Sequence, residues 1–395
     1  MAARGHDAAI LLSCLSDGVD QDPAFLEDLV AGRDLGRVVD LAYYHHVPTL
    51  VYYRLRGVRG ADPPSLARLG EAHARTVTNH LRVLGDLVSL GEILDRAAVT
   101  WAVFKGPVLA ELAYPHPGLR AYTDLDLLVA PEHLRTAVSA LEQAGHPLLD
   151  RNWEAIRAEG RGQLHVRLGL GTEVDLHWDL LIDTRTRGGF DLRGADLLRR
   201  RERVRIGVST CPTFGATDTL LLLCVHAGLA GGHRLVWLTD LQRWIATQAI
   251  DWDAFVALAA RSRCRLLAAV VLSRARTLLG AAVPDQVLGA LTRRGNLRAA
   301  GALDRLLPPA ASEGHYAASA LWTRMLRDDW WATARAWAGK LRSLRPSSPQ
   351  VLRALRRERF GAFDDGPMSP YHASGDAETR EAFFREVSQS GTDRR

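Results

Sequence analysis

Lysine is almost missing from this chain. Of 50 basic residues only two are lysines, Lys105 and Lys340; the rest are arginine. With the excess of Ala, Gly and Leu, this bias reads as the mark of a genome rich in G and C. Against it, a retained lysine suggests a position where a compact ammonium serves and a planar fork does not. Cysteine is scarce too. Cys14, Cys211, Cys224 and Cys264 show no metal-ligand spacing, which excludes a disulfide framework and suits a reducing compartment. No window of about 20 residues is free of charge, so no spanning helix is predicted. The first 22 residues hold one short apolar run, Ala8 to Leu12, without a basic lead-in. No secretory leader is predicted, and a cytoplasmic location is expected. The formal charge of +5 is thinly spread, with Arg and Asp/Glu interleaved; no dedicated nucleic-acid binding is expected. The full Gly-x-x-x-x-Gly-Lys-Ser/Thr phosphate loop is absent as well.

What is present suffices for several cores. The chain has 395 residues, 47% of them hydrophobic, which argues for two or three domains. Three- and four-residue apolar steps predict helices from Ala8 to Arg96, including a long one from Ser65 to Arg96. The texture then changes. Thr100–Phe104 and Thr123–Val129 read as strands, Pro107–Ala113 as a short helix, and Pro131–Ala144 as an amphipathic helix ended by Gly145. Gln163–Leu168 and Glu173–Trp178 alternate polar and apolar residues around Gly169–Thr172, a hairpin signature. A further strand is expected at Arg203–Val208. Helices return from Asp218 to Leu344, with Asp251 and Pro284 as boundaries. This order predicts an α+β fold, a small mixed sheet flanked by helices. The expected regions are an N-terminal helical region (1–96), a core (97–215), a C-terminal helical domain (216–345) and a basic, partly disordered tail (346–395). Within the tail, Asp364 to Asp376 and the last residues read as mobile.

Three features carry chemistry. Asp124 and Asp126 lie two apart at a strand start and therefore point to one face. Two such carboxylates repel unless a cation sits between them, and Mg²⁺ takes oxygen ligands. On the second hairpin strand Glu173, Asp175 and His177 share a face; on the first, His165 and Arg167 do. Apolar residues fill the opposite faces. Lys105-Gly106 stands at a strand-to-helix junction. There Gly permits close approach, and the helix N-terminus with the lysine favours phosphate. Arg120 is a second candidate phosphate contact. His226 and Asp240 suggest a buried hydrogen bond between helices. His45-His46 reads as a helix end. Trp322, Trp330, Trp331 and Trp337 among Arg residues favour core packing over a membrane-surface helix.

Together these runs resemble a family. Val103-Phe104-Lys105-Gly106, Tyr114-Pro115, Gly118-Leu119-Arg120 and Thr123-Asp124-Leu125-Asp126-Leu127-Leu128-Val129 look like the signature of the uncharacterised bacterial nucleotidyltransferases, within the DNA polymerase beta-like superfamily. Val174-Asp175-Leu176-His177-Trp178 is similar to the second motif. Leu220 to His226 and Leu235 to Leu241 resemble the helical segment. The resemblance covers about residues 20 to 345. It implies transfer of a nucleoside monophosphate from an NTP, with ATP expected, to an unidentified small molecule, peptide or protein. It implies Asp124, Asp126 and Asp175 as ligands of two Mg²⁺ ions. Lys105, Gly106 and Arg120 would contact the nucleotide, and His177 would orient Asp175 or help deprotonate the acceptor. Lys105-Gly106 stands where the superfamily has Gly-Ser. Two other readings fit the residues: a catalytically inactive nucleotide-binding module, and a transition-metal hydrolase using His165, Asp175 and His177.

Overall fold

The computed structural model of the chain describes residues 2–16, 23–181, 189–311, 322–343 and 371–392. The fold is α+β, as expected: helices with a four-stranded mixed sheet and a separate two-stranded one. The chain divides into two compact units, each assembled from separated stretches. None of the helices among the described residues is long and apolar enough to cross a membrane.

The first unit comprises Met1–Leu81, Lys105–Thr123 and Gly215–Trp330. All its regular elements among the described residues are helices. Local chemistry sets the helix ends. Pro48 occupies the first turn of Pro48–Leu55, where its missing N–H costs nothing. Asp251 caps Trp252–Arg261 by accepting the Ala254 N–H at 2.9 Å. Gly280 ends Arg265–Leu279 in the left-handed region, φ 75°. Pro284 immediately precedes Asp285–Leu291. The core of this unit runs through Leu220, Leu238, Leu266 and Val271, all fully or nearly fully buried. Gly228 faces Leu267, where an added Cβ would meet a side-chain carbon at 2.6 Å. A larger residue at 228 would therefore force the Leu267 side chain to move where the Ala216–Leu229 and Arg265–Leu279 helices meet.

The second unit comprises Arg82–Phe104, Asp124–Phe214 and Trp331–Arg395. Its main sheet holds β1 (Trp101–Phe104), β2 (Asp124–Val129), β3 (Gln163–Arg167) and β4 (Glu173–His177), in the order β1-β2-β4-β3. β1 pairs with β2 and β3 with β4 antiparallel; β2 and β4 run parallel. A parallel pair cannot be joined by a tight turn. Here the crossover contains the Leu134–Gln143 and Trp153–Glu159 helices and β3 itself. β1 is apolar and buried, β2 is so apart from Asp124 and Asp126, and β3 and β4 alternate. The β3–β4 turn is pinned by Asp86. This carboxylate is 3% exposed and accepts the N–H groups of Leu170 at 2.9 Å and Thr172 at 3.1 Å. A buried carboxylate needs such donors.

Three expectations change. The strand expected at Arg203–Val208 is β5 (Glu202–Ile206), and it pairs with an unforeseen β6 (Ser209–Thr213). Pro212 hides β6 in the sequence, because proline argues against a strand; in a two-stranded sheet it sits on an edge. In the tail, Ala377–Thr392 is a helix that buries Phe383, Phe384 and Val387, with both phenylalanines against Trp153. Asp376, assigned above to a mobile stretch, accepts the Thr379 N–H at 2.8 Å as this helix begins. The tail is not basic either, since 346–395 carries eight arginines against eight acidic residues. Residues 364–370 lie outside the described residues. Trp330 and Trp331 are 38% and 79% exposed instead of packed in a core. Trp322 is covered by the Arg274 guanidinium at 4.8 Å.

Candidate active site

Register makes the site. The parallel pairing sets Asp124 opposite Glu173, Leu125 opposite Val174, and Asp126 opposite Asp175. Opposed residues share a face of the pleat. One face therefore carries Asp124 and Asp126 from β2, and Glu173, Asp175 and His177 from β4. β3 adds Gln163, His165 and Arg167, with His165 paired to Asp175. Leu125, Leu127, Val174 and Leu176 are fully buried on the other face.

Within this row, ligand atoms of Asp126, Asp175 and His177 all lie within 4.8 Å of one another. Asp124, one register step away, does not join that trio. Asp126 is 6% exposed, whereas the Asp175 side chain keeps 19% of its surface and is the member that solvent reaches. Two carboxylates so close call for a positive partner. Their oxygens fit a hard divalent cation, and the imidazole nitrogen extends the set toward Mn²⁺ or Zn²⁺.

His177 behaves differently from expectation. Its Nε2 lies 3.3 Å from Asp126 Oδ1, across the β2–β4 pair. Its nearest carboxylate contact is thus on the neighbouring strand, with Asp175 in the same trio. Its Nδ1 is buried. Phe104 packs on this ring at 5.5 Å between centroids and closes that end of the face.

Asp175 is held from β3. Gln163 Nε2 donates to its Oδ2 at 3.1 Å, and His165 Nε2 stands 3.5 Å from its Oδ1. Behind His165 is Asp150, whose side chain is wholly buried. Burial pulls the His165 pKa down, but the hydrogen bond and charge of Asp150, with the charge of Asp175, outweigh it and the net shift is upward.

A family model described as uncharacterised nucleotidyltransferase matches residues 31–280, well over half of the chain. The chain belongs to this family. No curated protein matches it.

The residues expected to contact phosphate, Lys105, Gly106 and Arg120, fall in the first unit. Lys105 directly follows β1 and precedes the Gly106–Ala113 helix with φ 56° and ψ −134°. A non-glycine residue with positive φ stores strain of about 1–3 kcal/mol, and such positions cluster where function demands them. Gly106 is buried in the first turn of that helix.

Arg120 is committed elsewhere. Its Nε and one terminal nitrogen donate to Asp240 Oδ1 and Oδ2 at 2.8 and 2.9 Å, and the other terminal nitrogen donates to the Gly106 carbonyl at 3.2 Å. Tyr114 OH donates to the same Asp240 at 2.7 Å. Burial works against the Arg120 charge, yet Asp240 outweighs burial and raises the pKa. Burial and Asp240 both push the Tyr114 phenol up. A guanidinium whose donors are spent this way is a structural ion pair, and the phosphate role expected for it is withdrawn. Asp240 is likewise held by Arg120 and Tyr114, in place of the expected bond to His226. The exposed His226 instead sets its ring edge on Trp237 at 5.9 Å.

Three contributors escaped the sequence reading. Gln163 shares a face with His165 in a period-2 strand, so its position is visible in the sequence, but a neutral amide there does not announce a role. Asp150 lies 15 residues from His165 in irregular chain, where no periodicity flags it. Asp86 does leave a signal: it falls three residues after Val83 and four before Leu90, on the apolar stripe of its helix.

Proposed function

We propose that this chain transfers a nucleoside monophosphate from an NTP, ATP first among candidates, to a hydroxyl or other nucleophile on a small molecule, peptide or protein. The observation that carries the reading is the opposition of Asp126 and Asp175 on parallel strands, with His177 completing a donor trio. Family membership supports nucleotidyl transfer in general. In the reaction an acceptor hydroxyl oxygen bonds the α-phosphorus and gives up its proton to solvent, the α–β bridging bond breaks, and pyrophosphate leaves with the electron pair.

Asp126 and Asp175 would hold the divalent cation, with Asp124 beside them as a further carboxylate for a second ion. Magnesium, when bound, supplies electrostatic stabilisation for attacking and leaving oxygens. His177 steadies Asp126. Lys105 and Gly106 are the proposed phosphate contacts, a lysine charge and a glycine that lets a ligand approach. Phosphoryl-group chemistry asks little more of a protein than positioning and electrostatics.

The test is incubation with each α-labelled NTP and Mg²⁺, with candidate acceptors or a small-molecule extract. Label transfer with pyrophosphate release, lost in Asp126→Asn and Asp175→Asn, supports the reading. No NTP binding at millimolar concentration would overturn it. Nucleotide binding that survives Asp175→Ala without turnover would identify an inactive binding module. The hydrolase alternative is weakened by His165, whose Nδ1 is taken by Asp150 and which lies outside the donor trio.

A further inference from the structure

A carboxylate that binds a cation works best when its direction is fixed beforehand. Asp175 stands on β4, and both of its oxygens face groups from β3. Gln163 Nε2 is 3.1 Å from Oδ2 and also 3.1 Å from His165 Nε2. One amide nitrogen with two protons thus joins the imidazole and the carboxylate. His165 Nε2 is 3.5 Å from Oδ1.

The imidazole is itself fixed. Asp150 Oδ2 accepts the ring Nδ1–H at 2.9 Å and the backbone N–H of the same residue at 2.5 Å. One oxygen therefore holds both the main chain and the side chain of His165, which fixes the ring plane and leaves Nε2 to accept one Gln163 amide proton, while the amide nitrogen also donates to Asp175. Asp150 cannot drift. Its side chain is wholly buried, Arg161 stands 3.8 Å from its Oδ1, and the segment before it is tied to β3. That tie consists of a bridge between Leu148 and Val166 and the Leu149 N–H donated to the His165 carbonyl at 2.8 Å. Its isolation in an irregular segment makes the placement costly: a carboxylate is removed from water to grip one ring. A structural role for β3 alone needs no such chain, because the β3–β4 ladder already holds the strand.

We infer that Asp150 and His165, together with Gln163, are positioning residues that set the Asp175 carboxylate for cation binding. This inference rests on the proposed function and adds to it a line from the buried Asp150 through the His165 ring and the Gln163 amide to the cation ligand. Removing an orienting partner of this kind weakens metal affinity by about 10–100-fold.

The experiment titrates Mn²⁺ alone into the full chain and reads free Mn²⁺ by electron paramagnetic resonance. The variants are His165→Ala, His165→Gln, Asp150→Asn and Gln163→Ala, each checked for folding by far-UV circular dichroism and thermal melt. The expected result is a loss of about 10–100-fold in His165→Ala, with partial recovery in His165→Gln, whose amide can still face Asp175. Asp150→Asn should match His165→Ala. Should Asp150→Asn fail to fold, the His165 pair decides alone, since that ring is half-buried and its strand keeps its ladder. Wild-type Mn²⁺ affinity in a folded His165→Ala variant overturns the inference and leaves the proposed function standing. No Mn²⁺ binding by the wild-type chain overturns both.

Discussion

Asp240→Asn should destabilise this protein severely although residue 240 is not one of the candidate cation ligands. The side chains of Arg120 and Asp240 are 9% and 3% exposed. Asp240 accepts two guanidinium N–H groups and the Tyr114 hydroxyl. Neutralising it strands a buried arginine charge, and breaking one partner of a buried pair costs about 3–5 kcal/mol. For a domain of 150–250 residues each kcal/mol moves the melting temperature by about 2–4 °C, so a drop of roughly 6–20 °C follows from the same ion-pair cost. Tyr114→Phe removes one hydrogen bond to a charged acceptor and should cost about 1.5–3 kcal/mol. Replacing both charges by apolar groups, Arg120→Met with Asp240→Leu, should cost less than the two single changes summed, because no charge is left unpaired. Urea unfolding followed by tryptophan fluorescence supplies the numbers. An Asp240→Asn variant within about 1 kcal/mol of wild type would refute the reasoning, given the expected ion-pair cost. So would an Arg120→Met variant of full stability whose only defect is nucleotide binding; that result would return Arg120 to the phosphate.

Other outcomes follow from separate features. Asp86→Ala should cost about 2–3 kcal/mol and speed amide exchange at Leu170 and Thr172, which lose a charged acceptor; unchanged exchange would show that the turn holds itself. Lys105→Gly should raise stability by about 1 kcal/mol by relieving the positive-φ strain, while weakening NTP binding in a direct titration; a less stable glycine variant would contradict the strain argument. Acid should weaken the first unit. Burial, against a smaller opposing contribution from the Ala310 backbone, pulls the His45 pKa from 6.5 down to about 4, and burial likewise brings His233 to about 3. The fold holds these rings neutral, so their stability contribution is complete above pH 6.5. It falls as the unfolded chain alone takes up protons, by roughly 1.4 kcal/mol per pH unit for a fully buried ring. A urea midpoint that stays constant from pH 7 to pH 5 would exclude this.

The legible parts of the site were those written in short-range periodicity. Asp124 and Asp126 two apart, and Asp175 and His177 two apart, are assigned to common faces by the strand period alone. The missed strand β6 contains a proline, and the missed Ala377–Thr392 helix carries its apolar residues too sparsely to stand out. The misread arginine shows the other limit. Arg120 stands four residues before Asp124, and proximity in sequence made it look like a phosphate contact. Its partner is 120 residues away, and nothing local announces a buried ion pair.

The sequence by itself determined the elements, the faces and the candidate acids, because strand and helix periods are local properties of the chain. Only the tertiary structure decided which acids meet. The parallel β2–β4 register is a choice among sliding alignments of two strands, and a slip of one residue would turn Asp175 away from Asp126. Burial then set the roles of the histidines: it placed His177 against Asp126 and locked His165 on Asp150, since polar groups withdrawn from water must find partners wherever the fold brings them.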